Sequence, residues 1–211
     1  MHDYNHADEE RKEREERRDM IAREIFNDDM DQDTSSVSSD IRNRILASSG
    51  RFFANDNISE YIEEGELELL VDELEDKFKA ALNTMVIDLE NDPNSADTPR
   101  RLAKMYIHEL FEGRYQPKPR VASFPNDSSD GRAAYKGMLV VRAELKSVCS
   151  HHHQPVTGTA FIGIIPSSKV IGLSKYVRLA QHCARRGTLQ EELCNDIAQT
   201  IIAAAGSENV G

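Results

Sequence analysis

Apolar residues recur at intervals of three and four along two stretches of the chain, which is the spacing of a helix with one buried face. The first stretch, from Glu66 to Glu90, predicts a long amphipathic helix. The second begins at Thr98, a suitable N-cap, followed by Pro99 at the first helical position, and ends at Gly113. The apolar faces consist of Leu70, Leu74, Phe78, Leu82, Met85 and Leu89 in the first helix and Leu102, Ala103, Tyr106, Ile107, Leu110 and Phe111 in the second. We expect both helices to be core scaffold without a cofactor.

The apolar period changes to two between Gly137 and Val148, as in a half-buried strand. The inward positions of this strand are Leu139, Val141, Ala143 and Leu145. A second strand is predicted from Thr157 to Ile165, and a helix is predicted to begin at Ser174.

A last helix is predicted to begin at Thr188, because Thr188-Leu189-Gln190-Glu191 has the form of a capping box. Gly206 is expected to end this helix. Its apolar face consists of Leu189, Leu193, Ile197 and Ile201. This order of helices, strands and further helices indicates an α+β domain.

Residues 1–60 differ from the rest of the chain in composition. Residues 8–18 are charged without interruption and mix both signs, and residues 28–39 are acidic and rich in serine. Such segments bury too little apolar surface to fold alone. We therefore predict a mobile N-terminal extension over residues 1–60, partly disordered, with at most one short helix, and a domain over residues 61–211. The alternative is an arm that docks on a partner.

Composition narrows the class of protein. The 211 residues suit one domain with an extension, and three cysteines indicate a reducing compartment more than a disulfide framework. The sequence has neither a signal peptide nor an apolar run of about 20 residues, so a cytoplasmic protein without a membrane span is predicted. A net charge of -11 disfavours nucleic-acid binding but allows a small anionic substrate in a local basic pocket. Candidates for that pocket are Lys175, Arg178, Arg185 and Arg186.

A thiol and three imidazoles lie together directly after the first predicted strand. Cys149 and His152, three residues apart, have the reach to hold one Zn²⁺, and His151 between them is free to move protons. A catalytic zinc site uses three protein ligands and a water, so a third ligand must come from elsewhere. The plain alternative is a solvated loop with one buried thiol.

Several ordered motifs between Ala96 and Gly211 resemble those of the GTP cyclohydrolase I family. They are the segment from Asp97 to Tyr106, Cys149-Ser150-His151-His152, Gly158, Val170-Ile171-Gly172-Leu173-Ser174-Lys175 with Arg178, Ala184-Arg185-Arg186, and Leu189-Gln190-Glu191. The resemblance implies a tunnelling fold, in which an antiparallel sheet backed by helices assembles with its own copies into a homo-oligomeric ring with sites between subunits. It also implies that GTP is opened at C8, formate is lost and the product recyclises to 7,8-dihydroneopterin triphosphate, for folate, another pterin or 7-deazaguanine synthesis.

The resemblance implies that Cys149 and His152 are zinc ligands and that His151 transfers protons. Ser150 stands where the family usually has Glu. The family's third ligand is a cysteine that would fall beyond Gly211, so we expect this sequence to be incomplete at its C-terminal end and inactive in this form. Residues within the chain are weaker substitutes, because Cys183 and Cys194 are predicted to be buried thiols and His153 lies too close to its neighbour.

The resemblance also implies the substrate contacts. These are Ser174 near the ribose, Lys175, Arg178 and Arg101 at the triphosphate, and Gln190 and Glu191 at guanine. Glu191 has an alternative role as the capping-box acid, and the cations have one as plain surface charge. Two further readings stay open: a non-catalytic relative that binds purine or a complete partner, and the nitrile reductase of 7-deazaguanine synthesis, which the Cys-x-His-His unit disfavours.

Overall fold

The computed structural model describes residues 36–127, 134–207 and 209–211. The predicted mobility of residues 1–35 therefore lies outside the described part of the chain. Helix α1 spans Val37–Ala47, and residues 44–211 form one compact unit, whereas we predicted a domain beginning at residue 61. Arg44 contributes to that unit by donating to the Tyr61 carbonyl and pairing with the Glu66 carboxylate.

Helix α2 spans Glu66–Thr84 and ends six residues before the predicted Glu90. The periodic pattern continued, but Val86 adopts a left-handed φ of 63° and the Ile87 amide turns back to the Leu82 carbonyl. This bond satisfies one of the carbonyls that a helix end leaves free. The helix therefore stops although its apolar spacing does not.

The second predicted helix is divided into three parts. Helix α3 (Thr98–Met105) runs into a π-helical turn (Tyr106–Leu110) and a short helix α4 (Glu112–Tyr115). Pro99 lies in the first turn as predicted. The predicted Thr98 cap is wrong, because Asp97 occupies that position and makes no side-chain cap bond.

Gly113 lies within α4, so the predicted helix stop at this residue is wrong. Its amide donates to the Arg185 carbonyl at 2.9 Å. A Cβ added to Gly113 would overlap the His182 carbonyl oxygen. The glycine is therefore needed because α4 packs closely against the helix that contains His182, and not because the chain turns here.

The principal sheet consists of β2 (Leu139–Cys149), β3 (Pro155–Ile164) and β5 (Gly187–Thr188) in the order β3-β2-β5, with β2 antiparallel to β3. Strand β5 runs parallel to the end of β2. The predicted alternation along β2 is confirmed, since Val141 and Ala143 are buried while Val140, Arg142, Glu144 and Lys146 are exposed. A second, two-stranded sheet pairs β1 (Ser123–Pro125) with β4 (Lys169–Ile171).

Helices α5 (Leu173–Ala184) and α6 (Gln190–Ala205) follow, and with the sheet they enclose the main core. Its most buried members are Ala143, Ile164, Tyr176, Leu179, Ala180, Cys183, Ala184, Ile201 and Ala205. The α+β class is confirmed. Within the described residues, no helix is long and apolar enough to cross a membrane.

The capping box predicted for the last helix is wrong. Thr188 belongs to β5, and the helix begins at Gln190 after Leu189, which forms no side-chain cap bond. The predicted end is confirmed, since Gly206 adopts a φ of 63° directly after the helix. The chain between α5 and α6 is thus a strand, because its backbone pairs with the end of β2.

Candidate functional site

Cys149 and His152 lie in the tight turn that joins β2 to β3. The Cys149 amide donates to the Gln154 carbonyl at 2.9 Å, and the His153 amide donates to the Cys149 carbonyl at 3.0 Å. His153 adopts a φ of 52°, a left-handed conformation that completes the reversal. The two candidate zinc ligands and His151 are therefore held within one hydrogen-bonded turn.

The side chains of this turn have different surroundings. Cys149 is a half-buried free thiol, while His151 and His152 are exposed, with their ring centroids 6.2 Å apart in an edge-on arrangement. The His153 ring lies 5.7 Å from the rings of both Tyr106 and Phe111. His153 therefore packs the turn against the π-helical segment and the residue after it, a role that the sequence did not predict. His153 lies more than 40 residues from Tyr106 and Phe111, and no apolar periodicity connects positions so far apart.

Strand β5 connects this turn to the start of α6. Cys149 and Thr188 are partners in the parallel ladder, and the Ser150 amide donates to the Thr188 carbonyl at 3.4 Å. Gln190 and Glu191 follow as exposed residues in the first turn of α6. The structure thus brings the candidate metal ligands and the candidate guanine-binding residues together.

The candidate ribose and triphosphate residues lie elsewhere in the same chain. Ser174, Lys175 and Arg178 are on the N-terminal half of α5, whereas β5 follows the C-terminal end of that helix. At a rise of 1.5 Å per residue, Ser174 and the helix end are about 15 Å apart along the axis. Arg101 is on α3, where it is exposed and pairs with Asp97. In one chain these candidates therefore lie on α3 and on the half of α5 that is farther from β5.

A groove of about 330 Å³ lies along α5 and is lined by Arg178 and His182 together with Arg185, which pairs with Glu112. His182 is buried, and this burial, with the charges of Arg186 and Lys118, lowers its pKa from 6.5 to about 4. The imidazole is therefore neutral at pH 7. Glu112 also lines the groove and neutralises Arg185, so the net positive charge of the lining comes from Arg178.

A second groove of about 410 Å³ is lined by Leu110, Ser147 and mostly charged residues. The charged and polar residues of its lining are His108, Glu109, Glu144, Lys146, Gln181 and Arg185. Neither groove is lined by the Cys149 turn or by the start of α6. Of the two candidate metal ligands, His152 is exposed and Cys149 is half-buried.

Arg186, a candidate for a basic pocket, is committed to the protein interior. Its side chain is 12% exposed, donates to the Asn55 carbonyl at 2.7 Å and pairs with Asp196 at 3.5 Å. Among the cysteines, Cys183 is buried as predicted, but Cys194 is exposed, so that prediction was wrong. The described residues contain no group of three or more His, Cys, Asp or Glu side chains that could hold a metal ion.

Residues 74–211 match the sequence profile of GTP cyclohydrolase I. A GTP cyclohydrolase 1 from Aeromonas salmonicida is 36% identical over 141 residues, which are 66% of this chain and 62% of that protein. One from Buchnera aphidicola is 37% identical over 160 residues, 74% of this chain and 69% of that protein. One from Shewanella putrefaciens is 38% identical over 128 residues, 60% and 57% of the two chains. The chain thus spans roughly three fifths of most of these relatives, and it belongs to the GTP cyclohydrolase I family.

Proposed function

We propose that this protein catalyses the zinc-dependent hydrolytic opening of GTP at C8, with release of formate and recyclisation to 7,8-dihydroneopterin triphosphate. The observation that carries the proposal is the pairing of Cys149 with Thr188, which places the Cys-x-His-His turn beside Gln190 and Glu191. The residues proposed as metal ligands, as the proton-transfer group and as the guanine-binding pair thus belong to backbone segments joined by this pairing. The family of the chain supports the same reaction.

The donors of the turn suit zinc, which binds thiolate and imidazole. Cys149 and His152 would hold the ion, and a third protein ligand would complete an open catalytic site. Zinc in such a site supplies Lewis acidity that activates water for attack on C8. The partial burial of Cys149 and the hydrogen bonds of its backbone fix the thiol, while the exposed His152 lies on the side open to a ligand.

His151 is proposed to move the proton. It lies between the two ligands on the same turn and is exposed, so its imidazole can reach a purine bound at that surface. Protonation of the ring nitrogen as the C8–N bond breaks makes that nitrogen a better leaving group.

Glu191 is proposed to bind the N1 and N2 hydrogens of guanine, with Gln190 beside it. The alternative role of Glu191 as a capping acid loses its support, because the residue before the helix is Leu189 and it forms no side-chain cap bond. The Glu191 side chain is exposed in the first helical turn, where the helix dipole favours the carboxylate. It is therefore available to a ligand.

The separation of the two groups of residues along α5 supports a site between subunits. Lys175, Arg178 and Ser174 of one chain would meet the Cys149 turn of another in a homo-oligomeric ring of the tunnelling fold, with Arg101 as a further triphosphate contact. In the groove along α5, Arg178 supplies a cation for the triphosphate, and Lys175 lies three residues before it on the same helix. A cytoplasmic location fits a GTP substrate.

One observation favours a second candidate function, a non-catalytic relative that binds the purine nucleotide. The described residues contain no third ligand grouped with Cys149 and His152. In that case the purified protein would bind GTP without turning it over. Formation of formate and the pterin distinguishes the two functions, whereas the affinity for GTP does not.

The test is incubation of the zinc-loaded protein with GTP, with formate and the oxidised pterin measured separately and ATP as the control substrate. Glu191→Gln should weaken GTP binding by roughly 1.5–3 kcal/mol, as expected when a hydrogen bond to a charged group is lost, and leave the melting temperature unchanged. GTP binding without formate would favour the non-catalytic relative. Equal binding of GTP and ATP would contradict the guanine-reading roles of Gln190 and Glu191.

A further inference from the structure

The segment Phe52–Asp56 is held by two guanidinium groups along its backbone. Arg114 of α4 donates to the carbonyls of Phe52, Phe53, Ala54 and Asp56. Arg186, which follows α5, donates to the remaining carbonyl, that of Asn55. Every carbonyl of the segment, which we name the strap (residues 52–56), therefore accepts from one of two arginines.

Further contacts fix both ends of the strap. The Asp56 carboxylate accepts from the Arg51 guanidinium and from the Phe53 amide at 2.7 Å. Asn57, directly after the strap, donates through its side-chain amide to the carbonyls of Gly113 at 2.8 Å and Gln116 at 2.7 Å. These bonds tie residues 51–57, part of the predicted mobile extension, to one another and to the segment around α4.

The strap lies against strand β5. A Cβ added to Gly187 would be 3.3 Å from the Ala54 Cβ and 2.8 Å from the Phe111 ring. Residue 187 is therefore confined between the strap and the aromatic side chain. Gly187 pairs with Val148, and the next residue, Thr188, pairs with Cys149.

Strand β5 has only two residues, so few bonds of its own determine its position. It nevertheless links the two groups of candidate residues, because Thr188 pairs with Cys149 and is followed closely in sequence by Gln190 and Glu191. We propose that the strap, held by Arg114 and Arg186, is the positioning device that sets β5 and thereby the distance between the Cys149 turn and the guanine-binding start of α6. The predicted effect on GTP binding rests on the proposed function. The predicted effect on the position of β5 does not depend on that function.

The geometry of the guanidinium group explains why arginine, and not lysine, holds the strap. A guanidinium carries five N–H donors in a rigid fork, so one side chain can bind several carbonyls of a curved backbone. A lysine has three donors on one nitrogen and cannot spread them over the same span. Arg114 and Arg186 are positioning residues, because neither is placed in contact with the nucleotide.

The test compares Arg114→Met with Arg100→Met. Arg100 is a matched control, since it also binds several partners, Asp72 and Glu75 among them, but ties α3 to α2. The measurements on the zinc-loaded protein are the melting temperature, the zinc content, the affinity for GTP and the deuterium exchange of peptides covering residues 146–152 and 185–192.

Both variants are expected to melt earlier and to keep their zinc. Only Arg114→Met should accelerate exchange in the two peptides, at least tenfold, and weaken GTP binding by a similar factor. Arg114→Lys should restore part of both. Unchanged exchange in folded Arg114→Met would overturn the proposal, as would equal acceleration in Arg100→Met.

A milder variant serves if Arg114→Met does not fold. Asp56→Asn removes the charge that holds Arg51 and keeps the strap backbone, and it should accelerate exchange in the same peptides by about threefold. No acceleration there would overturn the proposal. Accelerated exchange in a protein whose native form does not bind GTP would support the role of the strap on β5 and overturn the proposed function instead.

Discussion

His182 gives the protein a stability that depends on pH in a defined direction. The side chain is buried on α5, and its Nε2 has no hydrogen-bond partner among the described residues. Burial lowers the pKa of this imidazole from 6.5 to about 4, with a further contribution from Arg186 and Lys118. Below pH 6.5 the unfolded chain therefore takes up a proton that the folded chain does not bind, and stability falls as the pH falls towards 4.

The size of the effect follows from the two pKa values. Each unit of difference corresponds to about 1.4 kcal/mol, so a pKa of 6.5 in the unfolded chain and about 4 in the folded protein gives at most about 3 kcal/mol. This limit is reached below pH 4. Between pH 7 and pH 5 the linkage relation gives a loss of about 2 kcal/mol from this one group.

The assay is unfolding by urea at pH 7 and pH 5 for the native protein and for His182→Phe, which keeps an aromatic ring of similar size but does not titrate. Carboxylates and bound metal contribute to both proteins alike, so the difference isolates the imidazole. We expect the native protein to lose about 2 kcal/mol more than the variant. The same loss in both proteins would refute the reasoning.

Two further predictions concern packing and thiol exposure. Gly113→Ala should destabilise the protein by roughly 2–3 kcal/mol, because the new methyl group meets the His182 carbonyl, whereas Gly158→Ala, with open space around it, should change the melting temperature little. A thiol reagent should label Cys194 rapidly in the zinc-loaded native protein and Cys183 only after unfolding; labelling of both at equal rates would contradict their assigned exposure.

Patterns within one element were sufficient to predict the strands and the main helices. The alternation from Leu139 to Val148 identified the buried face of β2 because a strand repeats every two residues. The end of α2 was not predictable, since the left-handed Val86 is not a residue type that marks a helix stop. At Gly113 the residue type suggested a helix stop where there is none. Glycine occurs at turns, but it also occurs where two distant segments of the chain come into close contact.

Long-range backbone pairing produced the largest errors. Thr188 has the local form of a helix cap, but its pairing with Cys149 draws the chain into a strand. The strap was included in a mobile extension that was assigned from the composition of residues 8–18 and 28–39. The donors that hold it, Arg114 and Arg186, are distant in sequence. The candidate zinc ligands could be predicted because they lie within one turn, whereas their neighbourhood with Gln190 required the fold.

The most direct test of the central claim is the zinc content of His152→Ala and His151→Ala, measured by elemental analysis on protein purified with zinc. If His152 is a ligand and His151 transfers protons, His152→Ala should lose its zinc, while His151→Ala should keep the zinc content of the native protein and fail to release formate from GTP. Full zinc in His152→Ala, or loss of zinc in His151→Ala, would contradict the account.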